Sequence, residues 1–301
     1  MKTARYVPVL LALCVGQAMA DTPINLTHDA KPNVRLSISN VKGSVTVSAW
    51  DRNQVQVTGR LGEGAKPLEF EGDDKSLDLR IQPMGKNGNW FNWNSDANMG
   101  STTLDVRVPK GASLDIDLVS APLSIDGIEG GKIDVHTVSG KIRVNAKSPV
   151  IDAESVSGSI ELAGFAQKVT LQTVSGDILA PAVGNEAELQ TVSGRIRVAG
   201  GPWSRLNLST VSGDVQLTGG MAPNGTFDVD SMSGDVQIQV PTNLSALIKA
   251  NSFSGDLRSD FGTVKKVEHG PGSELHATAG KGNATMNIES FSGDVRIKSG
   301  D

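Results

Sequence analysis

The sequence predicts an all-β protein: a right-handed parallel β-solenoid with two short strands per rung and a β cap at its N-terminal end. Three observations carry that expectation. A Ser-Gly pair recurs at Ser139-Gly140, Ser157-Gly158, Ser175-Gly176, Ser193-Gly194, Ser212-Gly213, Ser233-Gly234, Ser254-Gly255 and Ser292-Gly293. The serines are 18, 18, 18, 19, 21, 21 and 38 residues apart, the last interval reading as two periods of 19, and a fixed period of that size marks a stack of repeats. Aligned on the pair, the copies show apolar columns alternating with polar ones, the signature of strands with one buried face.

Two columns ahead of each pair are apolar, one passing through Val135, Leu171, Leu208 and Ile288, the other through Ile133, Val169, Phe227 and Met286. The positions between them are polar, as in Asp134/His136 and Thr170/Gln172. After the pair the alternation resumes at Ile142, Ile160, Ile178, Ile196, Val215, Val236, Leu257 and Val295, with its phase shifted by one. Thr173 and Val174 both read as inward positions, so a bulge or corner is expected between the two strands of a rung. Gly140, Gly158, Gly176, Gly194, Gly213, Gly234, Gly255 and Gly293 are assigned to that corner, where a residue without a Cβ lets stacked turns approach closely. Beside them a column grows from Val138, Val156, Val174, Val192 and Val211 through Met232 to Phe253 and Phe291. Its growth suggests a core that widens toward the C-terminal end. One rung alone buries too little apolar surface to offset the ordering of its chain, so stability is expected from stacking. Successive parallel strands of this kind coil right-handed.

In chain order, residues 1–20 read as a secretory signal. Lys2 and Arg5 precede an apolar run from Val7 to Val15, and Ala18-Met19-Ala20 stands before Asp21. Cys14 is the single cysteine; Leu13 before it is too large for a lipidation site, and removal of the signal excludes disulfides and thiolate metal sites. Loss of Lys2 and Arg5 with no acid moves the formal charge from −5 to −7, which argues against nucleic acid or an anionic membrane as partner. No later apolar stretch is long enough to span a bilayer as a helix.

Residues 21–111 read as the N-terminal β cap. Leu36 to Val47 fits the repeat template with Lys42 at the Ser position, and Val55-Gln56-Val57, Leu77 to Ile81 and Leu104 to Val108 alternate as strands. A first rung without a cap would leave a bare sheet edge. Residues 112–301 carry the solenoid repeats, with Ala121 replacing the first corner glycine. Near 262–282, Gly270-Pro271-Gly272 and Gly280-Lys281-Gly282 mark the turns of a hairpin-like insertion where one rung is missing or degenerate.

Trp90, Phe91 and Trp93 sit in an Asn/Gly loop within the cap. Two readings stay open: they plug the first rung, or they form an aromatic platform for a sugar polymer or a protein. The column after the glycine runs Lys141, Ser159, Asp177, Arg195, Asp214, Asp235, Asp256, Asp294. One carboxylate per rung falls short of the six to eight oxygens that calcium takes, so solvated turns, and no metal or other cofactor, are expected. Asn224-Gly225-Thr226 matches a sugar-acceptor triplet. His28, His136, His269 and His276 are scattered, with no Ser or Cys partner in a recognisable motif. Outward pairs such as Asp256/Arg258 follow the repeat instead of interrupting it, so no catalytic residue is assigned.

The V-S-G-D-[IV] unit, best matched at Val174 to Ile178, Val211 to Val215 and Phe291 to Val295, resembles the repeats of the bacterial putative-adhesin family, a domain of unknown function. The resemblance covers most of the chain after residue 20. It implies a β-solenoid exported to the cell envelope, linked in some members to envelope-stress operons, with no established catalytic residues. Lys141, Ser159 and Arg195 depart from the Asp of the unit. The function expected is a non-enzymatic structural or binding protein of the periplasm or cell surface, its partner an unknown envelope polymer or protein. The alternatives are a polysaccharide-active β-helix enzyme and a self-assembling scaffold.

Overall fold

The computed structural model describes residues 22–84, 99–268 and 270–300. Every regular element among them is a β-strand, and the strands are hydrogen-bonded into one 22-stranded sheet. Residues 1–20 lie outside the described residues, as do Trp90, Phe91, Trp93 and His269.

The period becomes a stack because each copy pairs parallel and in register with its neighbour. Ser120 pairs with Ser139, Ser139 with Ser157, Ser157 with Ser175, Ser175 with Ser193, Ser193 with Ser212 and Ser212 with Ser233. Strands expected as separate short pieces run on into one another, as in Ile142–Ser157, Ile178–Ser193 and Val215–Ser233. Register shifts such as those between Asn145 and Ala146 and between Ala180 and Val183 bend them.

Sequence order fails at the C-terminal end. Ser233 pairs with Ser292, and Ser292 with Ser254, so the last copy in the chain lies between the two copies that precede it. In the 38-residue interval the described residues form no further parallel copy. Instead Ser273–Ala279 pairs antiparallel along the outer side of Ala246–Ser254, and Ala284–Ser292 pairs parallel along its inner side. The chain crosses over at Gly280 and Gly282, whose φ angles of 55° and 69° lie in the left-handed region that glycine enters without strain. Ser245 anchors this crossing, its Oγ accepting from Lys281 N at 3.0 Å and from Asn283 N at 3.3 Å.

The N-terminal end has a similar insertion. Arg35–Trp50 lies between Ser76–Arg80 and Thr102–Pro109 on one side and Ser113–Ser120 and Leu123–Glu129 on the other. Beyond it, Thr22–Asp29 pairs antiparallel with Gln54–Leu61, which pairs antiparallel with Thr102–Pro109; Glu69–Gly72 covers Ser76–Arg80 in the same sense.

The core fills from the expected columns. Val169, Leu171 and Ile178 are fully buried, as are their counterparts in the other copies. The column from Val138 to Phe291 is a correction: all eight of its side chains are exposed, Val174 at 50% and Phe291 at 56%, whereas Thr173 is 5% exposed. Strand alternation continues through the threonine, turning 169, 171 and 173 inward and 172 and 174 outward. The phase change therefore falls at Ser175-Gly176-Asp177, two residues later than expected. The largest fully buried side chains are instead Trp203 and Phe227, with ring centroids 5.4 Å apart.

Candidate functional site

The corner glycines stand in a file. A Cβ on Gly158 would lie 2.1 Å from the carbonyl oxygen of Gly140, and one on Gly176 would lie 2.3 Å from that of Gly158. The same relation joins Gly194 to Gly176, Gly213 to Gly194, Gly234 to Gly213, Gly293 to Gly234 and Gly255 to Gly293. Backbone, not a movable side chain, occupies the space.

Hydrogen bonding explains the rest of the unit. Gly158 N donates to Ser175 O at 3.0 Å and Ile160 N to Asp177 O at 2.9 Å. The N–H between those two donors faces the other way. It is met by the side chain at the Asp position of the neighbouring rung: Arg195 N donates to Asp177 Oδ1 at 2.8 Å, Asp235 N to Asp214 Oδ1 at 3.2 Å, Asp294 N to Asp235 Oδ1 at 3.0 Å and Asp256 N to Asp294 Oδ1 at 2.9 Å. Ser159 Oγ accepts from Asp177 N in the same way at 3.3 Å. A short acceptor is what the position needs, which accounts for Asp and Ser there. Lys141 instead pairs with Glu161 at 2.7 Å.

These corners hold a surface that the sequence reading placed inside. The outward residues two apart on each strand, such as Gln172 and Val174, flank the buried threonine, and stacking turns them into two parallel walls. One wall is the apolar column. The other runs Asp117, His136, Glu154, Gln172, Gln190, Ser209 and on to Asp230, Glu289 and Asn251. Between them lie two hollows of about 610 and 730 Å³ that share Ser209 and Val211, so the furrow is continuous along the stack. At its far end Phe253 and Phe291 stack with planes 6° apart, beside Met232 and Pro271.

Carboxylates crowd the N-terminal part of the polar wall. Burial pushes Asp117 above the usual carboxylate range, with Asp115 adding to it; burial does the same to Asp152, helped by Asp134 and Glu154. The His136 ring bridges them, Nε2 at 3.1 Å from Asp134 Oδ1 and Nδ1 at 3.4 Å from Glu154 Oε2. Among the described residues, no group of three or more His, Cys, Asp or Glu side chains is placed to hold a metal ion.

His28 rests edge-on against Phe70, 6.0 Å between centroids, and His276 lies in the register opposite Lys249. The structure brings neither near His136. Asn224 has a φ of 61° and its N donates to Asn283 O at 3.1 Å. The furrow was missed because valine suits either face of a strand; strict alternation from Val169 and Leu171 would have found it.

Register and pairing make this a parallel-stacked β-repeat protein. The chain belongs to the Toastrack DUF4097 family, whose model matches residues 33–298. No curated protein matches it in sequence. Among solved structures, a putative adhesin from Bacteroides fragilis is 12% identical over 93% of this chain and 98% of its own, with a TM-score of 0.46. A putative adhesin from Parabacteroides distasonis is 12% identical over 92% of this chain and 98% of its own, TM-score 0.44. A putative lipid binding protein from the same species is 13% identical over 92% and 97%, TM-score 0.43. No helix among the described residues is long and apolar enough to cross a membrane.

Proposed function

We propose that this protein is an exported, adhesin-like, non-enzymatic binding protein of the bacterial cell envelope, and that the furrow is its contact face. Residues 1–20 act as the export signal, residues 21–111 as the cap, and residues 112–301 as the binding body, a solenoid coiled right-handed as parallel crossovers are. The single observation that supports the reading is the apolar column from Val138 to Phe291, exposed in every copy. Soluble proteins keep large apolar patches off their surfaces unless something covers them, and here the same outward position is apolar in eight successive copies. Such regularity suits an elongated ligand better than a reaction centre.

Co-sedimentation with bacterial envelope glycan and membrane fractions tests this. The protein should co-sediment, and a Val174→Asp/Val192→Asp variant of unchanged melting temperature should not. Release of soluble glycan fragments, or co-sedimentation indifferent to the variant, would contradict it.

A further inference from the structure

The furrow joins one apolar wall to one acidic wall, and the pairing limits what can lie in it. Neither hollow is lined by a lysine or arginine among the described residues, while Asp117, Glu154, Asp230 and Glu289 line the polar side. Lys132 pairs with Asp134 at 2.9 Å outside the furrow, and burial and neighbouring acids hold the Asp117 and Asp152 carboxyls above their usual range. An anionic ligand would add to the repulsion, and a neutral apolar one would desolvate the carboxylates without compensation. A ligand that presents apolar groups to one wall and cations to the other relieves both problems.

Spacing selects the ligand's conformation. From Val138 to Phe253 the apolar column takes seven steps through the stack, each about 4.8 Å, or about 34 Å in all. An extended peptide shows same-face side chains about 6.8 Å apart, about 2 Å out of step at every rung. An α-helix shows one apolar ridge position per turn of about 5.4 Å, about 0.6 Å out of step. Over the seven steps the helix drifts by about 4 Å, less than one rung, and the extended chain by about 14 Å. The full column matches about 22 helical residues.

We propose that the furrow binds a cationic amphipathic α-helix of about 20 residues laid along the stack. Its apolar stripe rests on the valine to phenylalanine column, and its lysines or arginines face the acidic wall. The carboxylates occur in two groups, Asp117 with Glu154 and Asp230 with Glu289, separated by the neutral Gln172, Gln190 and Ser209. The helix accordingly carries its charge toward both ends. This assignment rests on the reading of the furrow as the contact face and names the chemistry of its partner.

The probe is a designed, fluorescently labelled 22-residue Leu/Lys amphipathic peptide, compared by fluorescence anisotropy with its Leu/Glu counterpart. Saturable one-to-one binding of the Leu/Lys peptide is expected, at least tenfold tighter than the Leu/Glu peptide. Val174→Asp/Val192→Asp should weaken it at least tenfold. Glu154→Gln/Asp230→Asn should weaken it several-fold and flatten its salt dependence, with melting temperatures confirming that both variants fold.

Equal binding of the two peptides, absence of saturation, or binding untouched by the valine variant overturns the proposal. So does light scattering that shows a dimer abolished by the valine variant, since the face would then meet a second copy. Valine-dependent binding to anionic lipid vesicles in place of the peptide overturns it as well. Should the peptide fail while valine-dependent co-sedimentation with envelope fractions persists, only the helical partner falls and the contact face stands.

Discussion

Phe253 and Phe291 stack with ring centroids 4.8 Å apart and planes 6° from parallel, although 38 residues separate them. They are neighbours because Ala284–Ser292 pairs with both Ala246–Ser254 and Val215–Ser233. Had the copies stacked in sequence order, Phe253 would have lain beside Met232. The two orders differ in which pair is energetically coupled. A double-mutant cycle to Ala on Phe253 and Phe291 is expected to give about 0.5–1 kcal/mol of coupling, and one on Phe253 and Met232 close to none. Urea unfolding of the four proteins in each cycle measures both.

The file of glycines gives a second expectation. A methyl at Gly176 meets the Gly158 carbonyl carbon and oxygen within 2.6 Å, whereas one at Gly130 meets nothing within 4 Å and bears only the strain of φ 94°. Gly176→Ala is expected to cost about 2–4 kcal/mol through backbone displacement, and Gly130→Ala about 1 kcal/mol. Chemical denaturation of the two variants ranks them.

Asp235 accepts the Asp294 N–H at 3.0 Å. Asp235→Ala should cost about 0.5–1.5 kcal/mol, while Asp235→Ser should recover most of that, since Ser159 makes the same bond to Asp177. Equal loss in both variants would show that the charge, not the acceptor, matters.

Burial, then Asp134 and Glu154, raise the Asp152 carboxyl above its ordinary range. A raised folded-state value means that the native state holds the proton more tightly than the unfolded chain. The associated stability is complete below the ordinary carboxylate range near 3.9 and is lost as pH rises through the folded value. Asp152→Asn removes that loss. Its melting temperature should exceed that of the parent at pH 7, and the difference should shrink as pH falls through the carboxylate range. A gain that persists at pH 3 would point to packing instead.

Much of this architecture is written in the sequence in physical terms. Period and alternation identify Val169, Leu171 and Ile178 as core, and the recurring glycine identifies a backbone contact that admits no Cβ. Three features were hidden for definite reasons. All copies present similar edges, so spacing alone cannot say which strand neighbours which; the Gly280 to Asn283 crossover that reorders them looks like any other turn. Hydrophobicity alone cannot assign a face, and the valine column reads as core until the phase set by Leu171 and Thr173 is carried one residue further. The role of Asp at the corner was obscured because its partner is a backbone N–H in another rung.

That phase decides whether the furrow exists, and a pair of adjacent substitutions examines it. Thr173 is 5% exposed and Val174 50% exposed. The melting temperature of Val174→Asp should stay within about 2 °C of the parent, as for a surface change of about 0.5 kcal/mol or less, while Thr173→Asp should unfold the protein or lower it by many degrees by burying an unpaired charge. A Val174→Asp variant that unfolds while Thr173→Asp is tolerated would put the column back in the core and remove the contact face.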